Sequence, residues 1–226
     1  MRLQLYILVF IAGLIWSCSS PNPENQSTKD SSQKERLWTE AERNFIIQEL
    51  NSTSQELRNE IDALNNAQWL FREDSTRWNI AEIVEHLTLQ NELHYREISA
   101  IANTPPLLQY ISIAQGMDSV FQQYATSPKP GKARWFLKPV GRFCDKILAI
   151  QAFFTARGEL TKFVQETKVD LRKHFTFRTG AGSKPLSELK KGDARDLHQL
   201  LLIGIAHTKR HLRQLKNIKK HPEFPK

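Results

Sequence analysis

The sequence predicts an all-α fold, a four-helix bundle with a long crossover between the second and third helices. Three observations carry this. Apolar residues recur at helical spacing in four separate stretches. No alternating strand pattern persists anywhere, and no repeat of about 20 to 50 residues is present. Five prolines (Pro105, Pro106, Pro128, Pro130 and Pro139) crowd into one segment, where the helical pattern breaks.

At 226 residues, one core with appendages is sufficient. The formal net charge is +8, and removing the N-terminal run discussed below takes away only Arg2, leaving 8 − 1 = +7. This balance favours anionic surroundings. The charge is spread along helices and one loop, with no RNP-type aromatic motif, zinc-finger spacing or separate basic arm, so nucleic acid is not an expected partner. The basic run Lys129, Lys132, Arg134, Lys138 and Arg142 reads first as a solvated loop face, with contact to an anionic surface as the alternative. Of the two cysteines, Cys18 and Cys144, neither belongs to a Cys-x-x-Cys motif, and no disulfide framework holds this fold.

Residues 1–17 read as a signal peptide rather than structure. Arg2 is a short positive start, and Leu3 to Trp16 is an apolar run too short to span a membrane comfortably. The run ends Leu14-Ile15-Trp16-Ser17-Cys18, which resembles a bacterial lipoprotein lipobox with Cys18 as the lipidated residue. Residues 18–37 are rich in Ser, Asn, Pro and Gln and read as a flexible tether. The expected location is the cell envelope, lipid-anchored, on the periplasmic side of the outer membrane if the host is diderm. The folded bundle is expected over residues 38–221.

The first helix opens at the capping box Thr39-x-x-Glu42 and carries Phe45, Ile46, Leu50, Leu57, Ile61 and Leu64. Residues 65–77 read as a connection. A second box, Asn79-x-x-Glu82, opens a helix with Ile80, Ile83, Val84, Leu87, Asn91 and Ile98 on one stripe. It ends before Pro105. The crossover, 105–146, holds a short helix within Leu107–Tyr124. The third helix, about 147–168, is expected to carry Leu148, Ala152, Thr155, Leu160 and Phe163, and a loop from Asp170 to Leu189 follows.

The last helix draws the rest together. Asp193 can cap it, and Leu197, Leu200, Leu201, Gly204, Thr208, Leu215 and Ile218 fall on one stripe at about 100° per residue. His207 and His211 fall on that stripe, one turn apart, and point the same way. Two imidazoles so placed are how a helix offers a pair of metal ligands, although core histidines at this spacing are more often simply hydrogen-bonded. On the second helix His86 lies at the stripe edge, about 60° from Ile83.

The segment from Trp78 to His86-Leu87, together with His207-Thr-Lys-Arg-His211-Leu-Arg-Gln214, resembles the DinB superfamily. The proline-containing crossover and the Phe153-Phe154-x-x-Arg157-x-Glu159-Leu160 segment are similar to that family too, over about residues 40–218. The resemblance implies a bundle holding a divalent metal through three His, here His86, His207 and His211. It also implies a metal-dependent hydrolase or thiol transferase acting on a small molecule. The alternative is a non-catalytic envelope lipoprotein that binds a partner or metal.

Three imidazoles leave a coordination position open, the mark of a reactive rather than a structural site. They do not choose among zinc, nickel, iron and copper. Glu82, Gln90 and His94 are candidates to line the pocket or orient a ligand, with Glu82 accounted for more simply as a capping-box partner. His174, His198 and His221 read as surface residues, and Cys144 as a small apolar filler. Partners are the membrane, through the anchor, and an unidentified small molecule; a homodimer is left open. Mass spectrometry of membrane-extracted protein is expected to find the N-terminus at Cys18 bearing acyl chains. An intact Met1 contradicts the anchor.

Overall fold

The computed structural model describes residues 36–127, 132–143 and 145–226. The targeting run, Cys18, the tether up to residue 35 and Cys144 lie outside the described residues. Side-chain capping fixes where each long helix begins. Thr39 and Glu42 close a reciprocal box ahead of α1 (Glu40–Ile61), Asn65 and Gln68 ahead of α2 (Asn66–Leu70), and Asn79 and Glu82 ahead of α3 (Ile80–Ala102). The crossover contains α4 (Ile111–Ala114) and α5 (Asp118–Thr126). Asp145 caps α6 (Lys146–Glu166). Strands β1 (Phe175–Phe177) and β2 (Ala194–Asp196) pair antiparallel just before α7 (Leu197–Ile218).

Several expectations need correction. The 65–77 connection holds a capped turn of helix, α2. The helix expected within Leu107–Tyr124 is divided, because Gly116 takes a left-handed φ of 81° that a continuing helix excludes. The last helix starts at Leu197 and is capped by Asp196, not Asp193. Ala194–Asp196 is extended against β1, and Asp193 instead accepts hydrogen bonds from Arg178 and the Lys190 amide. Finally, α6 buries Ala149, Phe153, Ala156, Arg157, Leu160 and Val164, while Leu148 and Thr155 are exposed. An arginine in the middle of the inward stripe displaced the sequence reading by one residue.

α1 and α3 each pack against both α6 and α7, so α1 lies diagonally opposite α3, and α6 opposite α7. The apolar interior falls into two large clusters. One holds Trp38, Ile46, Leu50, Ile98, Leu160, Val164, Leu197, Leu200, Leu201 and Leu202. The other holds Leu57, Ile61, Ile80, Ile83, Val84, Leu87, Phe153, Leu212, Leu215 and Ile218. Each such side chain contributes about 1.5–3 kcal/mol by leaving water.

Between the clusters each of the four long helices carries buried polar residues: Thr53 on α1, Gln90, Asn91 and His94 on α3, Arg157 on α6, and Thr208 on α7. The bundle therefore has a polar layer across its middle. At the Trp38 end, Arg172 ties the elements together, donating to Glu42 at 2.6 Å, Asp118 at 2.7 Å and Asp196 at 3.0 Å. His198 and His174 are buried there, not on the surface as expected. The Trp38 indole donates to His198 Nδ1 at 3.1 Å, and His174 bonds the Ile101 carbonyl. His221 is half-buried against the Phe71 ring. None of the helices among the described residues is long and apolar enough to cross a membrane.

Candidate metal centre

The capping box at Asn79 sets the start of α3, and burial of Ile83, Val84 and Leu87 fixes its rotation. His86 is then turned toward α7, where His207 and His211 stand one turn apart. Their ring nitrogens meet. His86 Nε2 lies 3.0 Å from His207 Nε2, which lies 3.0 Å from His211 Nε2. One nitrogen from each of the three falls within 4.8 Å of the others. His86 and His211 are buried and His207 is half-buried.

What lies behind the rings decides which nitrogen faces inward. His86 Nδ1 is 2.7 Å from the Leu137 carbonyl, and a carbonyl oxygen only accepts, so Nδ1 carries the proton. His211 Nδ1 is 2.9 Å from the side-chain amide oxygen of Gln214, with the same consequence. Neutral His86 and His211 thus present bare Nε2 lone pairs. His207 has at most one proton on Nε2 to share between them. At least one of the two close contacts then sets lone pair against lone pair, unless a shared cation lies among the three. The donor set fits a divalent ion: ligands about 2.0–2.1 Å from a tetrahedral centre are about 3.3 Å apart, within a few tenths of the spacing here.

The surroundings hold this arrangement. Trp78 lies against two of the rings, 4.9 Å from His86 and nearly parallel to His211 at 6.4 Å. The buried Glu85 carboxylate accepts the Val140 and Gly141 amides at 2.8 and 3.1 Å, and Arg142 grips Glu92 with two hydrogen bonds. Gly141 takes a φ of 74°, which lets the chain turn at this point. These contacts fasten the crossover to α3 and bring the Leu137 carbonyl to His86. On the other side, Arg210 donates to the Ser127 carbonyl and comes within 3.4 Å of His211 Nε2.

The remaining candidates fall elsewhere. Glu82 accepts from the Asn79 amide and from Arg72, and its carboxylate has no hydrogen bond to His86. Gln90 and His94 follow His86 by one and two turns on α3 and are buried in the polar layer. Sequence reasoning missed the Leu137 carbonyl, since a backbone group carries no residue signature. It passed over Glu85, which sits beside His86 in the motif. Gln214 was quoted in the motif without a role, though its position three residues after His211 on a helix places it in reach.

Burial is the largest influence on these imidazoles and lowers them all. It holds His207 down to about 3, helped by His86 and Arg210, and takes His211 well below the ordinary value. His86 is lowered by burial against the raising effect of the Leu137 hydrogen bond, and buried His94 falls to about 4. The unfolded chain takes up these protons near pH 6.5, the folded chain only at lower pH. Each such group therefore gives stability that is present above about 6.5 and lost as pH falls toward its folded value, at up to about 1.4 kcal/mol per unit. An NMR titration of metal-free protein should find His94 and His207 still neutral at pH 5.5, with denaturation midpoints falling below pH 6.5. Ordinary titration near 6.5 would refute the buried, neutral triad.

A sequence model of the DinB superfamily matches residues 49–215. No curated protein and no solved structure gives a significant match. The matched span runs from within α1 almost to the end of α7 and includes all three histidines. The chain belongs to the DinB superfamily.

Proposed function

We propose that the chain binds one divalent metal ion through Nε2 of His86, His207 and His211, and performs metal-dependent hydrolysis or group transfer on a small molecule. The observation that carries this is the convergence of three Nε2 atoms while hydrogen bonds occupy Nδ1 of His86 and His211. When bound, the ion would polarise a substrate oxygen or stabilise a thiolate at its open position. The chain's own residues do the positioning. Leu137 and Gln214 fix the ring orientations of two ligands, Trp78 shields them from water, and burial keeps all three neutral and ready to coordinate. Zinc, nickel, iron and copper all suit imidazole ligands, and the donor set does not rank them.

A non-catalytic, metal-holding bundle is the second reading. One observation favours it: no side-chain carboxylate is hydrogen-bonded to the triad among the described residues, and the nearby Glu82 and Glu85 are committed to Arg72 and the crossover amides. The envelope location and the lipid on Cys18 are part of the proposal and rest on the N-terminal sequence alone.

Wild-type protein purified without chelators should carry about one metal per chain by elemental analysis. His207→Ala should lose it while remaining helical, since the apolar clusters supply most of the stability. Gln214→Leu should keep the ligands but weaken affinity by about 10–100-fold. Stoichiometric metal in His207→Ala would sink the proposed site.

A further inference from the structure

The polar layer contains a positive charge that no carboxylate offsets, with the Phe153 ring 5.4 Å away. Arg157 is 3 % exposed, in the middle of the inward face of α6. Its Nη2 donates to Thr208 Oγ1 at 2.8 Å, reaching across the bundle to the diagonal helix. That hydroxyl already donates to the Gly204 carbonyl, so it adds no negative charge. Arg157 Nε and Nη1 are buried without a hydrogen-bond partner, and no carboxylate pairs with the guanidinium among the described residues. The contrast within the same fold is instructive. Arg172, also poorly exposed, meets three carboxylates. A buried cation with open donors is among the costliest features a core can carry, and natural interiors resolve it with a counter-charge.

Two other side chains of the layer are also incompletely bonded. Gln90 Oε1 and Asn91 Nδ2 are buried and unpartnered, on the α3 face between the two apolar clusters. The oxygen and nitrogen of an amide exchange by a simple flip, so Gln90 can turn donors inward, as Asn91 already does. Burial, with no compensating charge, pushes the Arg157 guanidinium down to about 10. The layer thus offers an anion several unused donors and one uncompensated positive charge.

The layer also borders the triad. Arg157 bonds Thr208, which directly follows His207 in α7. Gly204 and His207, on that side of α7, are only partly buried. Gly204 has a second role: a Cβ there would stand 2.7 Å from His94 Nδ1, so its hydrogen is what lets His94 sit in the layer.

We propose that Arg157, with Asn91 and Gln90, is a binding site for the carboxylate of a small-molecule substrate whose opposite end reaches His86, His207 and His211. The carboxylate site stands on the polar layer alone; its link to a reacting end rests on the metal reading above.

Formate, the smallest carboxylate, is the probe, and metal-stripped protein keeps the test independent of the metal reading. In wild type, the Arg157 Nε–H resonance should shift saturably with formate at constant ionic strength made up with strongly hydrated fluoride. The melting temperature should rise by about 5–10 °C at a hundredfold excess over Kd. Arg157→Lys keeps the charge and should retain the response at weaker affinity. Arg157→Met should abolish it, and should melt no lower than wild type without formate, because it removes an uncompensated charge. An Nε resonance indifferent to formate, which needs no variant to read, overturns the proposal. So does an unchanged formate response in Arg157→Met, or a large loss of its stability in formate-free buffer. Metal stoichiometry stays a separate readout, so either claim can fail alone.

Discussion

Two Nε2–Nε2 distances of 3.0 Å, between rings with Nδ1 protons pinned on two of the three, are the constraint from which the rest of this structure can be understood. In an interior of low dielectric, facing lone pairs repel, and burial prevents the imidazoles from relieving this by taking up protons. The surrounding residues oppose relaxation by rotation. Leu137 holds one ring and Gln214 another, and Trp78 lies against both. The crossover, long and rich in prolines, delivers the Leu137 carbonyl to His86. Glu85 and the Arg142–Glu92 pair keep it there.

The bundle accommodates such a site because its apolar core is divided. Two clusters stabilise the two halves, leaving the middle free to hold polar groups at a cost each half offsets. Hydroxyls in the layer answer themselves within their own helices: Thr53 donates to the Glu49 carbonyl, and Thr208 to that of Gly204. The long polar side chains do not, and Arg157, Gln90 and Asn91 keep open donors or acceptors. A layer required only for the fold would have these partners built in, as the Arg172 cluster at the Trp38 end does.

Helix starts were the most legible part of the sequence, because a capping box is a local device and works from four residues alone. Those at Thr39 and Asn79 stand where the pattern places them. The start of α7 was displaced by three residues, since Asp193 and Asp196 are equally good caps and only the pairing of β1 with β2 selects between them. The inward face of α6 was misread because a buried arginine breaks the apolar period at its centre. His198 and His174 looked solitary in sequence, and only the tertiary fold brings Trp38 and the Ile101 carbonyl to them. For the site, the pair on α7 followed from helical spacing. His86 came from resemblance, and the groups that orient the rings needed coordinates, because one of them is a backbone oxygen from a distant loop.

X-ray absorption spectroscopy on metal-loaded protein tests the three-histidine site, because it reads the ligands around the bound ion. The account predicts three imidazole nitrogens at about 2.0–2.1 Å if the metal is zinc, falling to two or fewer in His86→Ala. A coordination shell of oxygen or sulfur donors without imidazole, or one that His86→Ala leaves unchanged, would contradict it.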